Sequence, residues 1–149
     1  MSKLTTAFTF RFVSNNMKNG LGFKLRYQST DIVPTVVYKM GELGECGGNF
    51  TFPLGIIVSP LYPDSYPANV DCIYTIIQKM HTVILLNFSY FDTEKGKSLA
   101  TCPDYLEVRD GPSEISPLLI KLCGIDNPKP IMSTNNKMWI KYISEEILL

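Results

Sequence analysis

The sequence predicts an all-β fold, an antiparallel β-sandwich, and three observations carry that reading. No segment has a convincing period of 3.6. The apolar stretches are short and alternate with a period of two, and turn residues punctuate them at roughly regular spacing. The strongest stretch, TVILLNFSYF at 82–91, is rich in β-branched and aromatic residues and suits a central strand. The 149 residues are 45% hydrophobic and 19% charged, enough for about one domain plus extra segments.

Taken in order, residues 7–13 set Phe8, Phe10 and Phe12 against Thr9 and Arg11, a strand with one aromatic face. Asn19-Gly20 is a hairpin dipeptide, and Phe23, Leu25 and Tyr27 then alternate with polar residues, so 7–28 reads as a β-hairpin. Such a hairpin alone is marginal in water and needs cover for its aromatic face. Residues 29–45 read as a linker with a short extended piece around Pro34, and residues 47–51 as a loop. A short strand at 55–58 stops at Ser59-Pro60, and Pro60, Pro63 and Pro67 rule against a helix in the stretch that follows. Strands follow at 72–77 and 82–91, with His81 in a surface loop between them. The alternation of Leu106 and Val108 against Tyr105, Glu107 and Arg109 ends at Asp110-Gly111, a strand entering a tight turn. Short strands at 118–122 and 131–132 precede KMWIKYI at 137–143.

Net charge is zero, which argues against nucleic acid as a main partner. The balance is uneven: residues 1–27 carry five basic residues and no acid, and the remainder carries nine basic against fourteen acidic. That break suggests two pieces of different origin. No apolar run reaches 18 residues, so no membrane span is expected. The N-terminus lacks the apolar core of a signal peptide. Four widely spaced cysteines, Cys46, Cys72, Cys102 and Cys123, lack the close pairing of zinc ligands and read as two disulfides formed in an oxidising compartment. Disulfides without a leader suggest a piece or a truncated product of a longer secreted protein.

Residues 91–111 concentrate the chemistry. Glu94 and Asp104 flank one loop whose far end holds Cys102, a plausible oxygen-ligand site for a hard cation. No base or nucleophile accompanies them, so catalysis is not expected. No metalloprotease or nucleophile motif occurs elsewhere.

From Cys46 onward the chain resembles a CUB domain. The resemblance rests on Cys46-Gly-Gly, the run Gly55-Ile-Ile-Val-Ser-Pro-Leu-Tyr-Pro-Asp-Ser-Tyr-Pro, Cys72, Phe91-Asp-Thr-Glu, Cys102-Pro-Asp-Tyr, Val108-Arg-Asp-Gly and Leu122-Cys-Gly. Residues 8–27 resemble the last two strands of a preceding CUB domain, so the chain divides into a hairpin at 1–28, a linker at 29–45 and a CUB domain at 46–149 that stops before its last strand. Tandem arrays of this kind are similar to cubilin-like endocytic receptors. The resemblance implies a jelly-roll-like sandwich with disulfides Cys46–Cys72 and Cys102–Cys123.

The resemblance also implies a calcium site. Glu94 and Asp104 match two of the family's ligand positions, and Tyr66 matches a tyrosine that orients the glutamate. The third position falls at Glu145 where the family has aspartate, one methylene shorter. Three such carboxylates brought together resist folding unless a cation or a lysine neutralises them. In the family the ion-holding loops capture a lysine or arginine of a protein partner, and Tyr62, Asp64 and Tyr66 are the ligand-binding candidates here. Asn49-Phe50-Thr51 and Asn87-Phe88-Ser89 fit the N-glycosylation pattern, which marks Asn49 and Asn87 as candidate glycan sites. A sandwich lacking its last strand leaves an open edge, and residues 20–27 have the sequence of a final strand. Two readings stand for it: the strand pairs with the open edge, in cis or between chains, or the N-terminal hairpin is disordered or loosely attached. Three functions compete: a calcium-dependent extracellular recognition module in an endocytic receptor, an accessory module of a secreted protease, and a truncated isoform that binds nothing.

Overall fold

The structure, a computed structural model, describes residues 21–29, 45–98 and 101–145. The expected strand at 7–13, the Asn19-Gly20 turn, most of the linker and residues 146–149 lie outside the described residues. What is described is all β. Two sheets are built from β1 (Gly22–Ser29), β2 (Gly48–Phe50), β3 (Leu54–Val58), β4 (Val70–Ile77), β5 (Ile84–Asp92), β6 (Tyr105–Arg109), β7 (Leu118–Leu122), β8 (Ile131–Met132) and β9 (Lys137–Ser144). The order is β3-β1-β5-β8 in one sheet and β2-β4-β9-β6-β7 in the other. No described helix is long and apolar enough to cross a membrane.

Period-two alternation decides which side chains meet between the sheets. β4 turns Cys72, Tyr74 and Ile76 inward, β9 turns in Met138, Ile140 and Tyr142, and β6 turns in Leu106 and Val108. The facing sheet contributes Ile57 from β3 and Ile84, Leu86 and Phe88 from β5. Phe91 also lies in this core, three positions after Phe88, which strict alternation forbids. The pairing of β5 with β1 explains it: Lys24 faces Tyr90 while Leu25 faces Phe88, so Ser89 is an extra residue. This bulge flips the parity and returns Phe91 inward, edge-to-face on Phe88.

Two elements differ from the sequence reading. Residues 48–50, read as loop, form β2, which pairs with β4 in parallel, Asn49 opposite Thr75. Gly47 and Gly48 hide this strand from a propensity reading. Gly47 sits at φ 92°, and a side chain there would strike the Ile73 carbonyl, so close backbone approach is what the glycine serves. The second is the N-terminal strand. β1 lies inside its sheet, antiparallel to both β3 and β5.

The disulfides are Cys46–Cys72 and Cys102–Cys123, closing loops with sequence separations of 26 and 21. By the chain-entropy model each stabilises by about 3.5 kcal/mol. The first ties the approach to β2 onto β4. The second ties the start of β6 to the end of β7.

Candidate functional site

Three loops meet at one end of the sandwich, and pairing brings them there. β6 and β9 run antiparallel with Tyr105 opposite Ile143, so Asp104, just before β6, and Glu145, just after β9, emerge side by side. The Glu145 amide donates to Asp104 Oδ1 at 2.9 Å. β5 leaves its sheet at the same end. Thr93, buried, accepts from the Gly124 amide through its hydroxyl and donates its own amide to the Gly124 carbonyl. The exit of β5 is thereby clasped to the residue after Cys123. Gly96 then passes against Thr101 and Cys102 so closely that a Cβ would lie 2.4 Å from the Thr101 carbonyl oxygen. The Glu94 loop is folded back onto the Asp104 loop because position 96 has no side chain.

Tyr66 joins these parts. Its hydroxyl donates to Asp104 Oδ2 at 2.5 Å and accepts from the Glu94 amide at 3.1 Å. Its ring stacks edge-to-face on Tyr142, centroids 5.6 Å apart. Tyr66 and Asp104 are each 5% exposed. Burial, and next the bond to the Asp104 carboxylate, hold the Tyr66 phenol well above its ordinary range, so it stays a donor at neutral pH. The tyrosine's own loop is anchored from below. Ser144 Oγ donates to the Pro67 carbonyl and accepts from the Val70 amide.

The sequence-derived residues fall as follows. The Glu94 and Glu145 backbones and the Asp104 carboxylate come together around Tyr66. The Glu94 and Glu145 side chains are exposed. Among the described residues, no three acidic, histidine or cysteine side chains converge in a metal-holding group. Tyr62 and Asp64 lie on the loop of residues 59–69, Tyr62 half-buried and Asp64 exposed. Tyr66 is buried, so its hydroxyl rather than its ring addresses this end of the molecule. Asp92 accepts a hydrogen bond from the Tyr90 hydroxyl. Asn49 is exposed on the edge strand β2, and Asn87 is half-buried on β5 opposite Arg26. Thr93 and Gly124 entered the sequence reading only as motif members without a role, and Gly96 and Ser144 not at all, because small residues in loops carry little signal of their own.

Comparison with known proteins identifies the family. The CUB domain family matches residues 46–148. Human tolloid-like protein 2 is 35% identical over 136 residues, covering 91% of this chain and 12% of its own length. Rat neuropilin-2 is 36% identical over 128 residues, covering 83% of this chain and 13% of its own length. A solved structure titled the MASP-1 CUB2 domain bound to Ca2+ is 33% identical with a TM-score of 0.60, over 68% of this chain and 88% of that one. The chain spans 10–14% of the length of the curated relatives it matches. CUB domains are non-catalytic binding modules of multi-domain proteins, and this all-β, doubly disulfide-bonded chain belongs to the CUB domain family.

Proposed function

We propose that the chain is a calcium-dependent, extracellular protein-binding module with its ion site at Glu94, Asp104 and Glu145. The observation that carries this is the Tyr66 hydroxyl, which holds the Asp104 carboxylate and the Glu94 backbone at one point while the Glu145 amide holds the other Asp104 oxygen. The donor set fits a hard cation. A carboxylate offers about four lone-pair sites, and Asp104 engages two of them in these bonds. The Glu94 and Glu145 backbone amides lie at Tyr66 and Asp104, and their side chains are exposed; binding would require those side chains to turn toward Asp104. Calcium takes about six to eight oxygens, so backbone carbonyls and water complete the shell. When bound, the ion would neutralise Asp104 and the two glutamates drawn to it, and fix their loops. The chain's own residues do the remainder. Tyr66 orients Asp104 and the Glu94 backbone, the Cys102–Cys123 bridge and the Thr93–Gly124 clasp hold the loop bases, and Tyr62 and Asp64 flank the surface. A lysine or arginine of a protein partner is the ligand this acidic end suits, and an exposed contact of this kind is salt-sensitive.

For the parent protein, a tandem CUB array is the reading the sequence favours, because a final-strand sequence at 20–27 is followed, across the linker at 29–45, by a CUB start at Cys46. The likeness to tolloid-like protein 2 reaches upstream of Cys46, which supports a continuous array. An endocytic receptor is our first setting for it. An accessory module of a secreted protease is the second. The test is retention of the purified chain on a lysine-presenting matrix, with an acetyl-lysine matrix as control. Retention in calcium that is lost in chelator while the circular dichroism spectrum is unchanged supports the reading. Retention indifferent to calcium overturns it.

A further inference from the structure

We propose that Gly22–Ser29 is an exchangeable strand and that a second copy of the chain is its alternative acceptor, giving a reciprocally strand-exchanged dimer. β1 fills an interior slot. It pairs with β3 over Lys24–Gln28 and with β5 over Gly22–Ser29, and among the described residues β3 pairs with no other strand. An empty slot exposes two rows of unpaired backbone groups, so something must occupy it. The slot is also selective. Gly22 stands at φ 82°, and a Cβ there would lie 1.9 Å from Ser59 Oγ and 3.4 Å from the Tyr66 ring. The strand it accepts must open with glycine, which this chain's own segment does and an arbitrary strand does not.

Nothing covalent locks the strand in place beyond the chain itself. Both disulfides join residues within 46–123. Fifteen residues, 30–44, separate β1 from Glu45, a tether that reaches at most about 50 Å when extended. The register contacts are the same whether β1 comes from its own chain or from another, so the choice rests on concentration. A tether of this length sets an effective concentration in the millimolar range. In dilute solution the strand therefore closes on its own chain. When chains fold together at near-millimolar concentration the two routes compete, and interior strands on both sides trap the exchanged form.

The test mixes two full-length variants, one carrying Arg26→Cys and the other Ile56→Cys. These positions are register partners on β1 and β3, and both are partly exposed. The native disulfides are left intact. The mixture is unfolded in denaturant and refolded at near-millimolar concentration and mildly acid pH, which suppresses thiolate exchange. Dimer is isolated by gel filtration, then oxidised. The expected result is a dimer fraction absent after refolding at micromolar concentration, in which mixed dimers carry a bond between residues 26 and 56 identified by peptide mapping. A third variant, Gly22→Ala with Arg26→Cys, is expected to lose that bond several-fold in the same mixture. Only monomer at near-millimolar concentration, or dimers without the 26–56 bond, overturns the proposal.

Discussion

Replacing Tyr66 by phenylalanine isolates the bond on which the end of the sandwich is built. The ring is retained, so its edge-to-face packing on Tyr142 is kept and no cavity larger than an oxygen appears. What is lost is the donor 2.5 Å from Asp104 Oδ2 and the acceptor for the Glu94 amide. Asp104 is 5% exposed, so water does not replace the donor freely, and the carboxylate is left with the Glu145 amide alone among the bonds described here. A hydrogen bond to a charged group contributes about 1.5–3 kcal/mol. The Glu94 amide is near the surface and adds little. At about 3 °C per kcal/mol for a chain of this size, Tm falls by about 5–9 °C. Urea unfolding in chelator measures it, and an unchanged m value shows that the same structure is being compared. A loss below about 0.5 kcal/mol refutes the reasoning, because the hydroxyl would then not be what holds Asp104.

Gly22→Ala places a side chain against Ser59 at a left-handed backbone position, so unfolding free energy falls by about 2–4 kcal/mol, read by urea melts; a neutral result removes β1 from its slot. Alkaline pH destabilises the fold through its tyrosines. Burial pushes Tyr74 up to about 12, and burial with the bond to Asp92 pushes Tyr90 up to about 12, while Tyr66 and Tyr142 move further in the same direction. Unfolded tyrosines release their protons near 10.0, whereas the folded chain keeps them, so stability is full below pH 10 and falls between pH 10 and about 12. The slope is at most about 1.4 kcal/mol per pH unit for each buried tyrosine and well below that for the more exposed Tyr90, and a urea midpoint flat to pH 11.5 contradicts it. In secretory expression, Asn49→Gln and Asn87→Gln each remove one glycan step on a gel; an unchanged band excludes that position.

Much of the fold is legible in local sequence because period-two alternation and turn chemistry act over a few residues. The strands at 118–122 and 131–132 are read to the residue, and those at 55–58, 72–77, 82–91 and 137–143 are close. What escaped depends on partners distant in the chain. β2 is three residues opening on a glycine, just after Gly47, and exists because β4 offers a parallel edge. The inward turn of Phe91 depends on the bulge at Ser89, which only pairing with β1 reveals. The same holds at the candidate site. Glu94, Asp104, Tyr66 and Glu145 were named from their positions in a motif, but the manner of their meeting was not written locally. A tyrosine 38 residues before Asp104 donates to it, and a backbone amide 41 residues after it completes the pair. Thr93 and Gly124 do the clasping; each lies in a motif of the family, but neither motif tells that the two meet. β1 shows the same limit in reverse: its sequence reads as a final strand, while its seat between β3 and β5 is a matter of what the slot demands.

Calcium titration of the full chain by calorimetry, alongside Asp104→Asn, tests the central claim most directly. Asparagine keeps an oxygen for the Tyr66 hydroxyl but removes the charge at the centre of the site. The account expects saturable, one-to-one calcium binding to the native chain, a rise of about 2.7 kcal/mol in unfolding free energy at a hundred times Kd, and loss of both in the variant. A native chain that takes up no calcium at millimolar concentration, or a variant that binds as well as the native chain, contradicts it.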